Sequence, residues 1–253
     1  MDTCAYLVND HPTYLRMAAT SIGGIRKHNA DIPISVILLD QGEYDTKSFR
    51  DVCEHYNVNI MDRKRMDEDF FLINKALIGE VPGDRILFID TDTFVLGDVG
   101  VLFRDYSGYD VVACENKWVN EGWNQDYLSN GMRPFNSGVM LWNADRLREA
   151  ALAMPQICVD LRDRKYPLSE YLHAVESECW NREEFAWNVY VADNDLGHQY
   201  FDSSHCHNIL WEQDIERIRK TIILHTYNAN WKRVHDKLSG KTRKRIPSRF
   251  IKR

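Results

Sequence analysis

Two rhythms of apolar residues alternate along the first half of this chain. Cys4-Ala5-Tyr6-Leu7-Val8, Ile34-Ser35-Val36-Ile37-Leu38-Leu39 and Arg85-Ile86-Leu87-Phe88-Ile89 are short runs without polar alternation. Such runs are the mark of strands buried on both faces. Between them lie stretches with helical spacing: Pro12 to about His28, Thr46–Tyr56 and Phe70–Ile78. Pro12 stands where proline suits the first turn of a helix. A shorter strand, Val58-Asn59-Ile60-Met61, falls between the last two. Repeated β-α-β order predicts an α/β fold, with a mainly parallel central sheet and helices on both faces. Ligands of such sheets bind at the carboxyl ends of the strands.

The second half is less regular. Strands are expected at Asp110–Cys114, Ser137–Trp142 and Thr221–Leu224. Helices are expected from Asn143, a good N-cap, to about Lys165, and around Arg182–Val191. There is no internal repeat and no Gly/Ser linker. The expected organisation is one domain over residues 1–231 and a basic tail over 232–253.

Composition narrows the picture. With 253 residues, 44% of them hydrophobic, the chain can bury a single large core. No apolar run approaches the ~20 residues of a membrane-spanning helix. The start, Met1-Asp2-Thr3-Cys4, lacks the basic and apolar regions of a signal peptide, so a cytoplasmic location is expected. Six cysteines (Cys4, Cys53, Cys114, Cys158, Cys179, Cys206) include no Cys-x-x-Cys pair. They are expected as buried thiols rather than a disulfide framework or a zinc site. The net charge of −6 conceals ten Lys/Arg against one acid between Lys232 and Arg253. The rest of the chain is therefore strongly acidic, which argues against nucleic acid as a partner. The basic tail suits an anionic membrane surface or a phosphorylated substrate.

The chemistry concentrates at Ile89-Asp90-Thr91-Asp92-Thr93. An apolar strand runs straight into two aspartates spaced i, i+2, a spacing that in extended backbone turns both carboxylates to one face. Two adjacent anions are stable there with a cation between them, and hard oxygen ligands suit Mg²⁺ or Mn²⁺. Two reaction classes use such a pair. In haloacid-dehalogenase-like phosphatases, Asp90 would be a nucleophile forming an aspartyl-phosphate. In many glycosyltransferases, both aspartates hold a metal against a nucleotide diphosphate. The phosphatase motif lies on the first core strand, whereas three strand-like segments precede Asp90, so context favours the second class.

Further segments carry a resemblance. Phe135-Asn136-Ser137-Gly138-Val139 resembles the Phe-Asn-[Ser/Ala]-Gly-Val segment of glycogenin-like, family 8 glycosyltransferases. Glu183-Glu184-Phe185-Ala186-Trp187-Asn188 resembles that family's Asp-Gln-x-x-Leu-Asn, and Leu224-His225-Thr226-Tyr227-Asn228 its late His-[Phe/Tyr]-x-Gly. Leu7-Val8-Asn9-Asp10 followed by Tyr14 resembles the strand and loop that cradle uracil and ribose, and Lys75 a lysine near the donor. The resemblance spans about Ala5 to Lys232. It departs from the family at Glu183-Glu184, at Asn228 in place of Gly, and at Asn230-Trp231-Lys232 in place of Lys-Pro-Trp.

The resemblance implies a GT-A domain, Rossmann-like, that transfers a sugar from a UDP-sugar to an acceptor hydroxyl on a glycan, glycolipid or protein. It implies metal ligands Asp90, Asp92 and His225, with Mn²⁺ or alternatively Mg²⁺ as the ion. Leu7, Val8, Asn9, Tyr14, Lys75, Asp90, Thr91 and Lys232 would bind the nucleotide donor. Asn136 and Glu183 would orient the sugar, Glu184 would face the reacting carbon, and Gly138 would allow close approach of the backbone to a ligand. Retention of anomeric configuration is implied. The alternatives are the Asp90 phosphatase and a catalytically silent nucleotide-sugar-binding module.

The remaining candidates have plainer readings. His11 is expected in a surface loop, and His198, His205 and His207 as loop histidines rather than a second metal site. Most tryptophans are expected as core anchors. Trp118 and Trp123 lie in the polar segment Asn116–Arg133, expected as a flap over the donor, and are expected either to pack or to serve the acceptor site, with Asp126 as a sugar-binding acid.

Overall fold

The computed structural model describes residues 1–66, 71–115, 132–163, 182–208 and 220–239. The first half runs β1 (Asp2–Asn9), α1 (Pro12–His28), β2 (Ile34–Leu39), α2 (Lys47–His55), β3 (Asn59–Arg63), a 3₁₀ helix (Phe71–Glu80) and β4 (Arg85–Ile89). Then follow β5 (Thr93–Val95), α3 (Gly100–Asp105), β6 (Val111–Glu115), β7 (Phe135–Asn143), α4 (Ala144–Arg162) and α5 (Arg182–Asp193). The chain continues through β8 (His198–Tyr200), β9 (Cys206–Asn208), β10 (Ile223–His225) and α6 (Tyr227–Leu238).

Seven strands form one sheet in the order β3-β2-β1-β4-β7-β6-β8. The pairs from β3 to β4 are parallel, β7 runs antiparallel to both neighbours, and β8 is parallel to β6. The chain moves outward from β1 through β2 to β3, then returns to place β4 on the other side of β1. That reversal opens a crevice at the carboxyl ends of β1 and β4, where sheets of this kind receive ligands. A second sheet, β5-β10-β9, lies beyond it.

The apolar runs are buried on both faces, as their lack of alternation requires. On β4, Ile86 and Phe88 join a core with the 3₁₀ helix, α4 and α5, while Leu87 and Ile89 join another with α1, α2 and α3. His11 proves to be the N-cap of α1, its Nδ1 accepting from the Thr13 N–H at 3.2 Å. Asn143 caps α4 in the same way through Asp145 and Arg146.

The structure changes several expectations. The segment after β3 is a 3₁₀ helix, and Ile73 to Ile78 are buried around its whole circumference, so it has no solvent face to favour a regular amphipathic α-helix. Gly79 lets it press on α4, since a Cβ there would lie 2.6 Å from that of Ala151. Cys114 and Cys206 are not thiols but are joined as a disulfide. A register shift in β6 between Ala113 and Cys114 accompanies a Cα separation of 6.4 Å, within the bridging range. Cys4, Cys53 and Cys158 are buried free thiols. Lys232 to Leu238 are not tail but the continuation of α6, which Trp231 and Val234 anchor in the core. Trp118, Trp123, Asp126, Cys179 and residues 240–253 lie outside the described residues. Among those described, no helix is long and apolar enough to cross a membrane.

Candidate active site

Asp90 is the first residue past β4, on the same side of the chain as Ile86 and Phe88. That side faces the 3₁₀ helix, and Lys75 meets it there, with Nζ 3.3 Å from Asp90 Oδ2. The same ammonium donates to Ser137 O at 3.3 Å and to Ser137 Oγ at 3.1 Å, and lies 3.4 Å from Glu183 Oε1. Burial alone would weaken the hold of Lys75 on its proton. The carboxylates of Asp90, Glu183 and Glu184 outweigh it and keep the group firmly charged.

The antiparallel direction of β7 is what brings Asn136, Ser137 and Gly138 here. Its amino end meets the carboxyl end of β4, and the Asp90 N–H donates to Gly138 O at 2.7 Å. The α5 helix is fastened to the same strand by Asn188, which accepts from the Phe135 N–H at 2.8 Å and donates to its carbonyl at 2.9 Å. Glu183 and Glu184 therefore sit in the first turn of α5, where carboxylates favour the helix dipole. Glu184 Oε2 accepts from Asn136 Nδ2 at 2.7 Å and from the Ser137 N–H at 3.2 Å. Glu183 Oε2 accepts from Ser137 Oγ at 3.1 Å, and Oε1 from the Trp187 indole at 2.6 Å. Burial pushes the Glu183 carboxyl above its ordinary range, with Lys75 pulling the other way and Asp90 adding to the rise.

Asp92 and His225 come together through the small sheet. β10 pairs antiparallel with β5, which sets His225 opposite Thr93. Thr226 ties the two strands further, its N–H and hydroxyl both donating to Asp92 O. His225 Nε2 is 3.2 Å from Asp92 Oδ1 and 3.9 Å from Asp90 Oδ2. Burial works against the charged forms of both partners, but their attraction holds Asp92 below the ordinary carboxylate range and His225 above the ordinary imidazole range. Burial, opposed by Lys75 and reinforced by Asp92, raises Asp90.

These three side chains each offer one ligand atom, all within 4.8 Å of one another. An octahedral ion with bonds of ~2.1 Å spans ~3.0 Å between adjacent ligands and ~4.2 Å between opposite ones. The distances to His225 fall within that span, and two carboxylates with one imidazole form a donor set suited to Mn²⁺. The residues fit such an ion. Gly138 is part of the fit, for a Cβ there would lie 2.2 Å from His225 Cε1. What approaches this glycine in the structure is the imidazole.

No protein-family model matches the chain, and no curated protein does. Solved structures do. The galactosyltransferase LgtC in complex with donor and acceptor sugar analogs matches over 98% of this chain and 98% of its own, at 15% identity and a TM-score of 0.63. The glycosyltransferase GlyE of Streptococcus pneumoniae TIGR4 matches over 92% of this chain and 60% of its own, at 15% identity and TM-score 0.59. Mouse xyloside xylosyltransferase 1 matches over 90% of this chain and 98% of its own, at 11% identity and TM-score 0.52. The chain has the GT-A fold.

Within the GT-A fold the residues marked out by the sequence are placed as follows. Asp90, Asp92, His225, Lys75, Asn136, Glu183 and Glu184 form the connected cluster just described. Leu7, Val8 and Asn9 end β1, with Leu7 and Asp90 each two residues beyond the Ala5–Phe88 pair of the β1–β4 ladder. Tyr14 stands in the first turn of α1, edge-on to His11. Thr91 is buried in the turn between the two aspartates. Lys232 is exposed on α6, and none of the cluster's bonds described above involves it. His198, His205 and His207 join no cluster of metal-ligating groups among the described residues. Asp90 follows the fourth strand in chain order rather than the first, which is not the phosphatase arrangement. Ser137, Trp187, Asn188 and Thr226 belong to the resembling segments, but apart from Trp187 as a core anchor the sequence reading gave them no role. The spacing of Glu183 to Trp187 and of Glu184 to Asn188, one helical turn each, is the signal that could have found two of them.

Proposed function

We propose that this chain is a glycosyltransferase that moves a sugar from a UDP-sugar to an acceptor hydroxyl on a glycan, glycolipid or protein, with Mn²⁺ as its preferred ion and Mg²⁺ as a substitute, and with retention of configuration. One observation carries the reading: Asp90, Asp92 and His225 converge beside the charged Lys75, at the crevice where a GT-A sheet takes its ligand. The glycosyltransferases that share the fold support it.

Asp90, Asp92 and His225 would hold the ion, which when bound supplies Lewis-acid stabilisation of the negative charge on the departing diphosphate. Lys75 adds a fixed positive charge near the leaving group. Leu7, Val8, Asn9, Tyr14 and Thr91 provide the wall for base and ribose. Asn136 orients the sugar, its amide held between Glu184 and the Gly138 N–H. Glu184 faces the reacting carbon, where an anion stabilises the positive charge that develops as the glycosidic bond lengthens. The burial of Lys75, Glu183, Glu184 and His225 keeps bulk water from these groups and strengthens each interaction. Lys232, exposed on α6, has no part in this mechanism.

The test is a screen of nucleotide sugars for Mn²⁺-dependent hydrolysis without acceptor, followed by transfer assays on the donors that respond. Asp92→Asn should abolish hydrolysis while leaving the circular dichroism spectrum unchanged, and full activity in that variant would overturn the assignment. Tight UDP binding with Mn²⁺ and no turnover would identify a silent binding module instead.

A further inference from the structure

The family resemblance assigns Glu183 to the donor sugar, but its surroundings assign it elsewhere. The side chain is 3% exposed. Its Oε1 is occupied by the Trp187 indole at 2.6 Å and by Lys75 at 3.4 Å, and its Oε2 by the Ser137 hydroxyl at 3.1 Å. Trp187 is fully buried and packs against Trp142 with ring centroids 5.5 Å apart, so the indole that grips Glu183 cannot swing aside. A carboxylate engaged by three protein donors and closed off from solvent presents little edge to a sugar hydroxyl.

What Glu183 does face is the ammonium of Lys75, which stands almost midway between two acids, 3.3 Å from Asp90 and 3.4 Å from Glu183. This sharing matters because Asp90 is also offered to the cation. An ammonium paired wholly with Asp90 would compete with that ion for the same oxygen, and in a buried site the competition is strong. We propose that Glu183, locked by Trp187, is a positioning residue for Lys75: it draws the ammonium partly off Asp90, leaves that carboxylate available to a divalent cation, and takes no part in choosing the donor sugar. The proposal rests on the metal-site reading above and reassigns one of its residues.

A double-mutant cycle tests it, read by Mn²⁺ affinity from electron paramagnetic resonance without nucleotide, and by relative kcat/KM across epimeric UDP-sugars. Glu183→Gln keeps the shape and removes the charge. It should weaken Mn²⁺ binding about tenfold and lower all donors alike. Trp187→Phe removes only the indole N–H and should shift affinity the same way by less. Lys75→Met should tighten Mn²⁺ binding, and in that background Glu183→Gln should have little further effect. An equal weakening in the Lys75→Met background would overturn the proposal, because the charge would then act on the ion directly. So would a changed preference between epimeric donors, or a Glu183→Gln protein with a lowered melting point and unaltered Mn²⁺ affinity. A wild-type chain that binds Mn²⁺ but neither hydrolyses nor transfers from any nucleotide sugar would defeat the transferase reading alone, with the Mn²⁺ cycle still deciding the role of Glu183.

Discussion

Single atoms decide much of this site. Gly138 is the sharpest case: a methyl group there would stand 2.7 Å from both ring nitrogens of His225, closer than any packed contact allows. Gly138→Ala must displace the imidazole or the strand, a cost of about 1–3 kcal/mol for an overpacked position. The expected result is a lower melting temperature together with loss of Mn²⁺ binding measured by titration calorimetry. The need for glycine was visible in the sequence, but its cause was not, because residues 138 and 225 are 87 positions apart. Thiol chemistry gives a second residue-scale expectation. Burial pushes the Cys53 thiol up to about 11. At pH 8 it is protonated and enclosed, so iodoacetamide should leave Cys53 unlabelled in the native protein and label it after denaturation, as peptide mass spectrometry would read.

Among the elements, those with a strong rhythm were the ones the sequence disclosed. The apolar runs of β1, β2 and β4 could be located because strands covered on both faces need no polar alternation. β5, β8 and β9 are three residues each, too short to carry a period, and they exist because neighbouring backbone pairs with them; β10 is as short, but the apolar run Thr221–Leu224 that overlaps it marked it. The segment Phe70–Ile78 read as helical, but its 3₁₀ form was hidden, because Ile73 to Ile78 are buried on every side and leave no amphipathic stripe. Caps were easier, since they depend on one residue and the two or three after it. Asn143 accepts from the Asp145 N–H at 3.0 Å and the Arg146 N–H at 3.3 Å. Asn143→Ala should cost about 1 kcal/mol in urea unfolding, with no change in Mn²⁺ affinity because the cap stands at the far end of β7 from the metal ligands.

At the scale of the whole molecule, the small sheet is the part that makes a site out of a strand end. It carries His225 to the aspartates through the β5–β10 ladder, and the stacking of Trp231 on Phe94 at 5.4 Å and the disulfide from Cys206 to Cys114 in the large sheet help to hold it in place. The bridge closes a loop of 92 residues, a length for which chain entropy gives stabilisation of about 4–5 kcal/mol. Replacing both cysteines by alanine should lower the unfolding free energy by about that amount. A linked Cys114–Cys206 peptide should be recovered in non-reducing digests.

Local pattern determined the α/β class, the strands of the first half, the N-cap of α4 and the acid pair that ends β4, because each depends on neighbours within one or two turns of chain. The same pattern, through its resemblance to a known family, pointed to His225, Lys75 and the Glu183-Glu184 pair as members of one site. Tertiary structure decided how they meet. The antiparallel entry of β7 sets Ser137 against Lys75 and Gly138 against His225, and the Trp187 indole turns Glu183 toward an ammonium. Lys75 meets Ser137 and Glu183 from 62 and 108 residues away, and Gly138 meets His225 from 87, and no periodicity encodes a distance of that kind. It is set only when the two faces of the sheet are covered and the buried charges must find partners.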